Sequence, residues 1–148
     1  MQASGLAWHK SAMDKLDPPT THGVFKPVGY ALITFRTPDA LHAAMKALGA
    51  AGFATTSMAH YSAHEMLRMA EGELLGAGPM ATFGYELDLL RRNKALAQEG
   101  CVFLLVHAPN EQKVTAMASV IATQQTVSAQ HYGRFLIRDL TEQSPGAP

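Results

Sequence analysis

GYALITFRTPDALHAAMKALGAAGFATTSMAHYS, residues 29–62, decides the fold, because its pattern returns at residues 100–133 as GCVFLLVHAPNEQKVTAMASVIATQQTVSAQHYG. The two segments align without a gap at an offset of 71. Gly29 meets Gly100, Pro38 meets Pro109, Ala47 meets Ala118, Thr55 meets Thr126, Ser57 meets Ser128, and His60-Tyr61 meets His131-Tyr132. Identities are few, and what repeats is the order of elements. Tyr30 to Phe35 (YALITF) is a short run of strand formers. Thr37 then suits an N-cap, Pro38 the first helical position and Asp39 the positive end of the helix dipole. Leu41, Ala44, Met45 and Leu48 share one helical face, Gly49 or Gly52 closes the helix, and Phe53 to Tyr61 reads as a second strand. In the second copy Cys101 to Val106 is the strand, and Ala108-Pro109-Asn110-Glu111 opens a helix to about Thr123. Thr126 to Tyr132 is the next strand, with Arg134 to Leu140 continuing it or adding another.

Two βαβ units of this size predict an α+β fold, a ferredoxin-like sandwich of four strands with two helices on one face and right-handed crossovers. The other sheet face then needs a cover. The helical insertion between the repeats, residues 63–99, offers one. Ala63 to Leu75 reads as a helix with Leu67, Ala70, Leu74 and Leu75 on its apolar face and Met66 at the edge. Gly76-Ala77-Gly78-Pro79 breaks it. A second helix runs from a Thr82 cap through Gln98, with Phe83, Leu87, Leu90 and Ala97 in a stripe that Leu89 and Leu96 widen, and Gly100 at C′. This pair either packs on its own domain or reaches to a second subunit. Residues 1–27 carry Asp17-Pro18-Pro19 and read as a flexible lead, with Trp8 docking on the domain or on a neighbour. Residues 28–140 form the single domain and 141–148 a flexible tail.

The chain has 148 residues, 47% of them apolar, which is enough for one real core. Lys and Arg number 12 and so do Asp and Glu, so net charge supplies no pull toward nucleic acid or an anionic membrane. The low charged fraction and the many Ala and Met residues point to a shared surface, with a homodimer favoured. The single cysteine excludes a disulfide within the chain, and Cys101, heading CVFLLV, reads as a buried small hydrophobe. No apolar stretch near the N-terminus reads as a signal peptide or membrane span, so the cytoplasm is the expected compartment.

The chemistry-bearing residues concentrate in HYSAH, residues 60–64. A His-x-x-x-His pair chelates a metal when both residues share one helix face. Here the strand covers His60, while Ser62 and Glu65 form a capping box that starts the next helix and breaks the shared register. A metal site on His60 and His64 needs a third ligand, for which His131, His107 and Glu65 are candidates. A small-ligand site would use the two His-Tyr pairs, His60, Tyr61, His131 and Tyr132. In a ferredoxin-like strand order the second and fourth strands often lie at opposite edges, so the pairs would meet only across a subunit boundary; if those strands pair centrally instead, the pairs meet within one chain. Met58, Met66 and Met69 offer soft thioethers for copper(I), but methionine at helical spacing fills cores.

No GxSxG elbow, GxxxxGK[ST] loop or GxGxxG after a strand is present, and no catalytic residue or cofactor is assigned. An enzyme built on this chain would use Tyr61 or His131 as acid or base beside an acidic residue in a concave pocket. Arg91, Arg92, Lys94, Arg134 and Arg138 offer a modest anion patch, diluted by Glu86, Asp88 and Glu99. Tyr30, Phe35 and Phe103 do not line up as an aromatic platform for RNA.

The run GCVFLLVHAPNEQ through HYGRFLIRDL, with FGYELDLLRRNKALAQEG at residues 83–100, resembles a group of small bacterial α/β proteins of the general-stress or heat-induced type. The resemblance covers roughly residues 29–140 and implies a compact, stress-associated, oligomeric protein. It transfers no catalytic residue. The expectation is therefore a self-associating cytoplasmic domain without catalysis, ahead of a small-ligand or metal-binding module near the His-Tyr pairs.

Overall fold

The two repeats interleave their strands in one sheet. The computed structural model describes residues 20–21, 24–25, 28–75, 84–133 and 136–141. Its strands are β1 (Thr20–Thr21), β2 (Val24–Phe25), β3 (Tyr30–Phe35), β4 (Met58–Tyr61), β5 (Val102–His107), β6 (Ser128–Tyr132) and β7 (Ile137–Asp139). Its helices are α1 (Pro38–Ala50), α2 (Ala63–Leu75), α3 (Gly84–Gln98) and α4 (Glu111–Ile121). β1 and β2 form a two-stranded hairpin within the expected lead segment. The other strands make a five-stranded sheet in the order β4-β5-β3-β6-β7. Every neighbouring pair in it is antiparallel. The two strands of each repeat therefore run parallel, with a strand of the other repeat between them. Trp8, Gly76 to Pro79, Thr82, Phe83, Arg134 and the tail from residue 142 lie outside the described residues.

Local chemistry sets the helix ends. Thr37 Oγ1 accepts from the Ala40 N–H at 3.1 Å, with Pro38 in the first turn. At the other end of α1, the Phe53 N–H donates to the Leu48 carbonyl at 3.0 Å and the Gly52 N–H to the Gly49 carbonyl at 3.1 Å. That closing motif needs a left-handed residue, and Gly52 supplies it at φ +103°. Gly100, at φ +91°, closes α3 in the same way. Ser62 and Glu65 make the expected capping box on α2, with the Ser62 N–H donating to Glu65 Oε1 at 2.9 Å and the Glu65 N–H to Ser62 Oγ at 3.0 Å.

Three local expectations shift. α4 starts at Glu111, with Asn110 Oδ1 accepting from the Lys113 N–H at 2.9 Å, so Pro109 precedes the cap. The residue aligned with Thr37 is Ala108, which has no side-chain acceptor, and Asn110 is the next residue able to cap. β4 is only four residues, because Thr55–Ser57 forms a 3₁₀ turn in which the Ser57 hydroxyl donates to the Ala54 carbonyl at 2.6 Å. On α2, Ala70 is buried and Leu67 packs half-buried on the core as expected, Met66 is fully buried rather than at the edge, and the side chains of Leu74 and Leu75 lie outside the described residues.

Alternation along the strands builds two cores. Ala31, Ile33, Phe35, Leu104, Val106 and Ala129 pack against Leu41, Ala44 and Leu48 of α1 and Val114, Met117 and Ile121 of α4. On the other face Leu32, Ala59, Tyr61, Phe103, Leu105 and Tyr132 pack against Met66 of α2 and Leu89 and Ala97 of α3. The inserted helices thus cover the sheet of their own domain. Among the described residues, no helix is long and apolar enough to cross a membrane. Because both faces are buried, Leu104→Ala and Leu105→Ala are each expected to cost about 2–5 kcal/mol in chemical denaturation. A negligible cost at Leu105 would mean that α2 and α3 do not cover its face.

Candidate functional site

Each His-Tyr pair is split across the sheet by strand alternation. His60 turns toward α1, and Tyr61 lies in the core under α2 and α3. His131 pairs across the β6–β7 ladder with Arg138, while Tyr132 joins the α2/α3 core. Between β4 and β6 stand β5 and β3, which sets His60 and His131 three strand spacings apart, about 14 Å. The fold does not bring the two pairs together within one chain. His64 is exposed on the first turn of α2, the layer opposite the one His60 faces. His107 is exposed at the end of β5, with its ring 4.7 Å from that of Tyr30. Among the described residues, no group of three or more His, Cys, Asp or Glu side chains is arranged to hold a metal ion.

His131 has a structural post. Its Nε2 lies 2.8 Å from the Ala108 carbonyl oxygen, a contact that requires the proton on Nε2. Arg138 donates two bonds to Glu111, at 2.9 and 3.1 Å, and holds that carboxyl below the usual carboxylate range. The Tyr61 phenol is pushed up to about 12, first by burial and then by the Glu65 and Tyr30 charges. A phenol that keeps its proton to that pH is poorly matched to acid–base work near neutrality. Burial likewise pushes the Cys101 thiol up, against the opposing charge of Arg36.

The other sequence clusters are divided by the sheet. Met58 sits in the α1/α4 core and Met66 in the opposite one. Arg91 lies 3.8 Å from Asp88 on α3, whereas Arg138 is tied to Glu111 beside α4. Phe35 and Phe103 are buried in opposite cores.

What does gather is a set at the β4 edge. His42 of α1 stands with its ring centroid 6.1 Å from that of His60, edge-on at 75°. Both open onto a cleft of about 150 Å³ lined by Pro38, Leu41, His42, His60, Tyr61, Ser62 and Val102. The sequence reading passed over His42. Its signal was its phase, beside the inward Leu41 and one turn after Pro38 on the helix that the β4 alternation aims His60 toward.

A second feature is a buried polar row on the α2/α3 face. Thr34 and Ser128 are 0% exposed and Gln130 is 1% exposed. Thr34 stands opposite Ser128, and Gln130 is two residues along the same strand. Thr34 Oγ1, Ser128 Oγ and both amide atoms of Gln130 have no hydrogen-bond partner. Comparison with known proteins finds no match, whether to a family model, a curated protein or a solved structure.

Two predictions follow from these burials. The unfolded chain releases the Tyr61 proton near pH 10 and the folded chain near 12. The unfolded state therefore binds fewer protons in that window, and stability falls as pH rises through it. Tyr61→Phe is expected to flatten the decline in Tm between about pH 10 and 12; an unchanged decline would assign it to other groups. Thr34→Val removes an unpartnered hydroxyl and is expected to raise stability by about 1 kcal/mol. Equilibrium denaturation that shows a loss instead would mean that the hydroxyl is bonded in solution.

Proposed function

We propose that the chain is a self-associating α/β domain of ferredoxin-like topology, structural or stress-associated in role, that dimerises through the outer edge of β4. The topology reading rests on the order β4-β5-β3-β6, in which two βαβ units are interleaved with all neighbours antiparallel. The observation that carries the dimer is the character of β4. Among the described residues it pairs only with β5, and its sequence, MAHY, has no charge. Edge strands that stay single are ordinarily blunted by charge, proline, a bulge or a cover. β7, the opposite edge, meets that rule with Arg138 and Asp139 in three residues. Among the described residues β4 carries none of these, and antiparallel pairing with a second copy would satisfy its outward backbone groups in a two-fold contact.

Both sheet faces are already covered by the chain's own helices, which leaves the edge as the place for a partner. The same reading sets the protein in the cytoplasm, where the lone Cys101 thiol stays reduced. Sedimentation equilibrium is expected to show a dimer. His60→Lys, which puts a charge on the edge, is expected to weaken it at least tenfold, or about 1.4 kcal/mol. A wild-type monomer at the highest soluble concentration, or a dimer indifferent to His60→Lys, would remove the reading.

A further inference from the structure

We draw no further inference here: the strongest candidate, the buried row of unpartnered polar side chains Thr34, Ser128 and Gln130 on the α2/α3 face of the sheet, carries nothing, because nothing in the structure shows what covers it.

Discussion

The pairing of β3 with β5 is the constraint on which the rest of the structure depends. It joins the two repeats through six residue pairs, from Tyr30 opposite His107 to Phe35 opposite Val102. Ala31, Leu32, Ile33 and Phe35, and Phe103 to Val106, are all fully buried. Strands buried on both faces read as continuous apolar runs rather than as alternation, which is why YALITF and VFLLVH look alike. A slip of one residue would exchange the α1/α4 core for the α2/α3 core at every position. With both faces apolar, hydrophobicity alone does not forbid that slip. The Gly29 contacts at one end of the pair hold the register. Its N–H donates to the Tyr132 carbonyl at 2.8 Å, and its carbonyl accepts from the Ala108 N–H at 2.9 Å. Gly29 does this at φ +87°, a conformation that L side chains rarely adopt.

Local chemistry was legible in the sequence, and long-range partnership was not. Ser62 with Glu65 marked the start of α2, Gly100 was read as a closure and that of α1 was narrowed to Gly49 or Gly52, because each is decided by residues within a turn. The strand order was constrained in outline by the repeat, since neither βαβ unit completes a sheet alone. The phase of α2 was harder, because Met66 and Leu67 are both apolar and only the sheet beneath chooses between them. His42 escaped notice for a related reason. Its contact with His60 spans a helix and the turn after it, and no local periodicity records such a pair. HYSAH drew attention as a chelating motif, yet alternation at His60 and capping at Ser62 send its two histidines to different layers.

The two sheet faces are not equivalent. The one under α1 and α4 is apolar along β3 and β5, whereas the other face carries the buried Thr34, Ser128 and Gln130. Asn93 of α3 is buried as well. Each unpartnered buried group subtracts about 1–3 kcal/mol from what the surrounding apolar contacts supply.

The same interleaving explains why two aligned histidines behave differently. Once β3 and β5 take the centre, the second strand of each repeat must lie outside them, β4 on one side and β6 on the other. The chain after β6 turns back as β7 and pairs with it, and the Leu140 N–H donates to the Ala129 carbonyl at 2.8 Å. β7 thereby sets Arg138 beside His131, whose ring bonds the backbone at Ala108. After β4 the chain departs instead into α2, capped at once by Ser62, and no described strand returns along that edge. His60 is left half-buried, against His42, on a strand that among the described residues pairs only with β5. The repeated His-Tyr thus differs between the halves: in the second a described strand flanks the histidine, and in the first the histidine lies beside His42 on a strand that, among the described residues, pairs only with β5.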